Sequence, residues 1–510
     1  MGNAYALGID VGSTNVKAVL VRAHGELAAT AGRPIASHLD GPIAEQDADE
    51  VWAAVVGAIG DLVAARPDAA PQIVTIAVCS QYSTTFPVDR AGRPTAPGVL
   101  YLDTRGTDHC WNLMGAQPDA FEVWVERHGI PPVGGGLSLA HVLHLQLDRP
   151  EVHERTTAYL EPMDLVNLRL TGRIAATQAT QFTMQLCDNR TVGTTTYDAD
   201  LVARSGVDPT RLPPLVDLGS VVGELTPDAA AVLGLPAGIE VRTGMNDSHA
   251  GAIATGAATP GHAGLMIGTT AVLLDTVDHM GVDLDHEVLS MPAPAPGRYL
   301  VWAENGVAGK SVETGLTRWL LTDDALGASA VGDPFAHLDD AIAESDTGAG
   351  GVLFLPWLAG SLAPRADRGM RGAFLGLSLE TTRVELVRAM VEGTAHNLAW
   401  LLPAVEAFSG HPIDELVFGG GAARSAGWAQ VIADVVGRPV SVLTHPAHAA
   451  ARAVAWDALE QHGAASRAVE PATGGRHEPD PAAHERYRVA QERFEAAFEA
   501  TKPLSPPRPE

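Results

Sequence analysis

"YALGIDVGSTNVKAVLV", residues 5–21, is the stretch whose reading decides the fold. Residues 6–9 and 16–21 read as two short apolar strands, with Val11, Gly12, Ser13, Thr14 and Asn15 as the hairpin between them. Asp10 stands immediately before that turn. A hairpin tip rich in hydroxyls and free N–H groups suits phosphate oxygens, and a carboxylate beside it suits a divalent cation. An ordinary hairpin with a polar turn is built from the same residue types, so the stretch alone leaves both readings open.

Working outward, residues 26–34 add a third strand after the turn at His24 and Gly25. Residues 47–65, "DADEVWAAVVGAIGDLVAA", have the apolar spacing of a helix with acidic residues in its first turn, where the helix dipole favours them. Residues 72–80, "QIVTIAVCS", form a nearly continuous β-rich apolar run, the signature of a buried parallel strand. Hairpin, helix and buried strand together specify an α/β domain with a mixed sheet.

The opening recurs late in the chain. Residues 241–257, "VRTGMNDSHAGAIATGA", run strand, acidic turn and small-residue helix. Residues 264–277, "GLMIGTTAVLLDTV", then repeat the strand–turn–strand pattern, Gly268, Thr269 and Thr270 mirroring Gly12, Ser13 and Thr14. The expectation is two similar α/β domains, each presenting a hairpin to a shared cleft. The boundary falls near 245–260, giving units 1–250 and 251–500. Further on, residues 350–360 read as a buried strand and residues 382–408 as a long helix. Residues 415–443 read as strand, glycine turn, helix and strand. The Pro/Gly/His-rich region after Gly463 reads as loop, residues 481–500 as a charged amphipathic helix, and the tail 501–510 as disordered.

Bulk properties narrow the function. With 34 basic against 61 acidic side chains the net charge is −27, which repels polyanions and offers no basic stripe for nucleic acid. No apolar run approaches the ~20 residues a membrane helix needs. The start lacks a basic segment followed by an apolar core, so no secretory signal is expected. Cys79, Cys110 and Cys187 are widely spaced and form no CxxC pair, which argues against a disulfide framework or a zinc site and fits a reducing cytoplasm.

Several motifs carry chemistry. Gly419, Gly420, Gly421 and Ala422 lie between a strand and a helix, where glycines let a flat ligand approach the backbone; a tight strand–helix turn needs them equally. Asp247, after a strand and before a helix, is placed to take a proton from a hydroxyl nucleophile or to cap the helix. Asp103 and Arg105 in "LYLDTRG" point to one face if the segment is a strand, to grip sugar hydroxyls or to form a surface ion pair. "ENGVAGKSVE" lacks the first glycine of a P-loop, Glu304 standing in its place, so Lys310 reads as an ordinary loop or helix-start lysine. His141 and His144 read as packing or surface residues. The pairs Asp323–Asp324 and Asp339–Asp340 read as solvated helix termini.

Taken in order, seven segments resemble the FGGY carbohydrate kinases of the actin-like, ribonuclease H-like ATPase superfamily. They are "GIDVGSTNVKAVLV", "SQYSTTFPVDRAGRPTAPGVLYLDTRG", "TGMNDSHAGA", "IGTTAVLL", "LFLPWLAGSLAPRADRGMRGAFLGLSL", "RAMVEGTAHNL" and "FGGGAARSAGWAQVIADVVGRPV". The resemblance implies two ribonuclease H-like domains flanking a deep cleft, with ATP and Mg²⁺ as cofactors. It implies that Asp10 holds the Mg²⁺, often through water, with Gly12, Ser13, Thr14 and Lys17 near the phosphates. Gly268 and Thr269 would cover the phosphates from the other domain, and Gly420, Gly421 and Ser425 match the adenosine-binding turn. Asp247 matches the general base. Gln81, Tyr82, Tyr101, Asp103 and Ser248 fall in the substrate region.

The departures from the family pattern bear on the substrate. Tyr82–Ser83 stands where xylulokinases carry Met-His and glycerol kinases Arg-Glu. Tyr101 replaces the tryptophan before the D-x-R segment, Gly360–Ser361–Leu362 replaces Gly-Glu-Arg, and Ser248 replaces Asn or Gln. The resemblance thus implies ATP-dependent phosphorylation of a small neutral sugar or polyol, a xylulose-like pentulose first among them. The expected partners are that small molecule and at most a second copy of the chain as a homodimer, with no nucleic acid and no membrane. A non-catalytic nucleotide or sugar sensor on the same fold, or an actin-like ATPase, are the alternatives.

Overall fold

The computed structural model describes residues 4–257, 263–293, 297–321, 333–465 and 471–504. The opening stretch folds as its alternation dictates. Tyr5–Val11 pairs antiparallel with Asn15–Arg22, Asp10 opposite Lys17, and Leu27–Pro34 extends the sheet on the far side. The apolar run Ile73–Ser80 lies parallel to Tyr5–Val11 and is buried, as a parallel strand between helix layers must be. Glu240–Arg242 and Met245–Asn246 follow, both parallel to Ile73–Ser80.

The second sheet repeats this plan. Ala263–Ile267 and Thr270–Val277 form the hairpin, and Leu416–Gly419 lies parallel to the first of them. Val440–Leu443 continues on that side and Tyr299–Val307 on the other. One expectation fails. Thr473–His477, in the region read as loop, adds an antiparallel edge strand to Val440–Leu443. An edge strand needs a ladder on one side only, so a Gly-rich exposed segment suffices.

The helices begin where their caps place them. Asp47 accepts the amides of Asp49 and Glu50 to start Ala48–Ala65. Thr382 and Glu385 form a capping box at the head of Arg383–Ser409. Inside that long helix Glu392 Oε1 accepts Arg388 Nε at 2.6 Å, the Tyr487 hydroxyl at 2.6 Å and the Gly348 amide at 3.0 Å. Arg388 donates further to the carbonyls of Ile342 and Ser345. This network is buried and fastens Arg383–Ser409 to Pro481–Thr501.

Two helices tie the halves together. Ala449–Gln461 leaves the second sheet and packs on the first, its Ala451, Ala455 and Leu459 clustering with Ala6, Val19 and Val21. The approach is so close that a Cβ at Gly8 would lie 2.0 Å from the Ala451 carbonyl oxygen. Asp247–Thr255 packs against Ala449–Gln461 and beneath the second hairpin. Each layer is therefore completed by chain from the other half.

The three cysteines are buried and free. His141 Nδ1 lies 3.2 Å from Thr85 Oγ1 and His144 Nδ1 2.8 Å from Asp148, both in packing roles. Asp339 and Asp340 occupy the first turn of Leu338–Glu344, whereas Asp323 and Asp324 lie outside the described residues. Pro481–Thr501 is followed by a helical turn at Lys502–Leu504, and residues 505–510 lie outside the described residues. No helix among the described residues is long and apolar enough to cross a membrane.

Candidate active site

Three parallel strands of the first sheet end side by side. Asp10 is in register with Cys79, and Cys79 with Met245. Asp10, Gln81 and Asp247 therefore emerge at the carboxyl ends of neighbouring strands. Asp10 and the start of the Asp247–Thr255 helix stand about two strand spacings, ~10 Å, apart. This is the edge at which open α/β sheets bind ligands.

The Asp10 carboxylate is 7% exposed and meets Lys17 Nζ at 3.4 Å. A hard carboxylate at the cleft edge, loosely held by one ammonium and next to a hydroxyl-bearing turn, fits a Mg²⁺ that takes its remaining ligands from water and phosphate. Among the described residues no three His, Cys, Asp or Glu side chains converge, so there is no all-protein metal cage.

The first hairpin is tied to the segments that carry Gln46, Gln81 and Tyr101. Gln46, on Ile43–Gln46, donates at 2.8 Å to the Ser13 carbonyl and accepts from Gln81 Nε2 at 3.2 Å. Burial raises the pKa of the Tyr101 hydroxyl, and the neighbouring Ser13 side chain opposes that rise. Gln81 is 6% exposed, its amide donates to the Val11 carbonyl at 3.0 Å, and its Oε1 has no partner. Ser13, Gln81 and Tyr101 thus stand together.

Asp247 is not the helix cap. Asn246 caps, accepting the His249 amide at 2.6 Å, and Asp247 is the first helical residue. Its carboxylate is open to the cleft, and the Ser248 hydroxyl reaches it at 3.4 Å. Protein crowding of the site, followed by the negative charge of Asp10, raises its pKa to about 7, against which Ser248 and Lys17 pull weakly. Accessible to a ligand yet poorly hydrated, it has the setting of a general base. Glu304, on Tyr299–Val307 of the other sheet, is likewise raised to about 7, by burial and then by Asp247. The two carboxylates come from different sheets, and the negative charge of Asp247 adds to the rise at Glu304.

Two expected substrate residues are engaged elsewhere. Asp103 lies in a turn, not a strand, and is fully buried. It accepts the amides of Ala44 and Arg105 and the Arg105 guanidinium, which against the opposing effect of burial hold its pKa below the ordinary value. Arg105 also binds Glu45 at 2.7 Å. The pair shapes the loop and leaves no free oxygen for a sugar. Tyr82 donates its hydroxyl to the Ala179 carbonyl at 2.7 Å, and its ring is tilted against Phe182. Ser83 holds the left-handed φ of 54° that turns this loop, and the buried Glu161 carboxylate accepts the Thr84 amide at 3.0 Å beside it.

Beside this floor lies a cavity of about 380 Å³ under the second hairpin. Gly268 and Thr269 form one wall, and Gly421, Ala422, Arg424 and Ser425 the opposite one. Gly420 stands behind that wall at φ 89°. A Cβ there would lie 2.4 Å from the Ile267 carbonyl, so only glycine lets the turn dock on the hairpin. Ser425 caps Ala426–Val436 by accepting the Trp428 amide, and its hydroxyl donates to Asp339.

Sequence reading missed several of the residues around these sites. Lys310 does start a helix, Gly309–Gly315, and pairs with Glu313 at 3.0 Å, but both side chains also line the cavity with Asp339. Glu304 drew attention only as a missing P-loop glycine. No local pattern marks these residues: Glu304, Lys310 and Glu313 share one segment that reads as a failed P-loop, and Asp339 joins them only through the fold.

The profile of the FGGY family of carbohydrate kinases, N-terminal domain, matches residues 5–254, and that of the C-terminal domain matches residues 263–455. A xylulose kinase of Staphylococcus epidermidis is 26% identical over 452 residues, spanning 87% of this chain and 86% of its own. A gluconokinase of Bacillus licheniformis is 24% identical over 445 residues, 85% and 83% of the two chains. The crystal structure of xylulose kinase from Rhodospirillum rubrum superposes with a TM-score of 0.82 at 26% identity, covering 98% of this chain and 99% of that one.

Proposed function

Since the chain belongs to the FGGY family of carbohydrate kinases, a two-domain α/β fold whose members take phosphate from ATP, we propose that it phosphorylates a hydroxyl of a small neutral sugar or polyol, a xylulose-like pentulose first among them. Asp247 is the general base, and Asp10 would hold the Mg²⁺, often through water. The observation that carries this reading is the position of Asp247, accessible yet crowded, one strand beyond Gln81 and two beyond Asp10. The similarity to a xylulose kinase supports a pentulose as acceptor.

The chain's own groups divide the work. Gln81, tied to Ser13 through Gln46, and Tyr101, beside Ser13, hold the acceptor against the first hairpin, so its hydroxyl can be aligned with the donor phosphorus. Asp247 takes the proton as the hydroxyl attacks. The two hairpins supply backbone N–H groups from both domains, and their closure excludes water that would otherwise hydrolyse ATP. Bound Mg²⁺ would neutralise phosphate charge, which an acidic protein otherwise repels.

A coupled ADP-release assay with Mg-ATP against ketoses, aldoses, polyols and aldonates tests the reading. Turnover with a ketopentose or polyol is expected, and silence across the panel in a protein that binds ATP would refute it. The pH dependence has a defined sign. A base works only when ionised, and Asp247 is protonated below its raised pKa. At low substrate, kcat/KM is therefore expected to fall with unit slope as pH drops below about 7. A flat profile down to pH 5 would remove Asp247 from the role.

A further inference from the structure

The two hairpins are alike in backbone and unlike in charge. Aligned on Gly12-Ser13-Thr14 and Gly268-Thr269-Thr270, Asp10 corresponds to Met266 and Lys17 to the buried Leu273. The first hairpin thus carries its own ammonium, and the second has none within its strands. The cavity beneath the second hairpin is lined by Glu313, Asp333 and Asp339 against Lys310 and Arg424. A polyphosphate entering so acidic a pocket needs a cation on the hairpin side. The Gly309–Gly315 helix, continued by a π-helical turn over Leu316–Leu320, offers at its N-terminus a partial charge and no full cation.

Lys310 is fixed to that hairpin. Its backbone amide donates to the Thr269 carbonyl at 3.2 Å, as the Ala308 amide does at 3.1 Å. A Cβ at the neighbouring Gly309 would lie 2.0 Å from the Gly268 carbonyl oxygen, so helix and hairpin move as one. The Lys310 side chain is 53% exposed, lines the cavity and, among the described residues, is held by the solvent-exposed pair with Glu313. A pair of that kind is weak and is readily exchanged for a phosphate.

We propose that Lys310 binds the β- and γ-phosphates of the nucleotide, giving the second hairpin the charge that Lys17 gives the first, with Glu313 holding the ammonium over the cavity until nucleotide arrives. The proposal rests on the ATP-kinase reading above. It is tested by calorimetric titration of wild type, Lys310→Met and Lys310→Arg with ATP, ADP, AMP and adenosine in the presence of Mg²⁺. Lys310→Met is expected to weaken ATP and ADP about tenfold or more. AMP and adenosine should stay within about twofold, and Lys310→Arg should recover most of the loss. Unchanged ATP affinity in Lys310→Met overturns the proposal while leaving the kinase reading standing. Equal weakening of adenosine also overturns it, since it would mean a damaged pocket. Wild-type protein that binds none of the four overturns the kinase reading, and this proposal with it.

Discussion

Replacing Asp247 with Asn is expected to lower kcat about 10³-fold while the affinity for ATP stays within about twofold. The amide fills the same space and cannot accept the hydroxyl proton. The substitution is clean because the cap is the neighbouring Asn246, whose bond to the His249 amide survives. It also removes a charge that raises the pKa of Glu304 and that Asp10 in turn opposes. The variant should therefore melt no lower than wild type. Steady-state ADP release, nucleotide titration and a thermal melt measure the three quantities. Near-normal turnover, or loss of nucleotide binding together with turnover, would take the base assignment away from Asp247.

Glu392→Ala is expected to cost about 3–5 kcal/mol of stability, because it strands a charge rather than merely deleting a contact. Arg388 is buried, and Glu392 is the one carboxylate in its hydrogen-bond set among the described residues. The Tyr487 hydroxyl would lose its acceptor as well. The double variant Arg388→Met/Glu392→Leu should recover part of the loss, since it leaves no buried charge unpaired, although the Tyr487 hydroxyl and the Ile342 and Ser345 carbonyls still lose their partners. Urea unfolding of the two variants provides the comparison. A single variant within 1 kcal/mol of wild type would show that Arg388 is solvated by rearrangement.

The hairpins, the buried strand at 73–80, the long helix at 383–409 and the duplication were legible because each is written in local periodicity. The strand-end positions of Asp10 and Asp247 were legible for a related reason, since a carboxylate at a strand end beside a turn is a local pattern, while the roles proposed for them came from the family resemblance. What was illegible depends on tertiary geometry. Asp103 and Arg105 looked like a gripping pair under a strand's two-residue repeat, but the segment turns, and the two satisfy each other and Glu45. The Tyr82 hydroxyl is claimed by Ala179, 97 residues away in sequence. Lys310 failed a motif test correctly and still reached the cavity, because Gly309 packs on a hairpin some forty residues earlier. Thr473–His477 carries no apolar alternation and pairs only because Val440–Leu443 leaves an open edge.

The seam at Gly8 also governs the order in which this protein can be finished. The first sheet is synthesised early, yet the layer that shields Ala6, Val19 and Val21 is Ala449–Gln461. A ribosome making the chain must translate more than four hundred further residues before that apolar surface has its cover. At bacterial or eukaryotic elongation speeds of about 5–20 residues per second, this leaves a sheet face bare for some tens of seconds. Fragments ending before residue 449 should therefore be recovered mainly as aggregates.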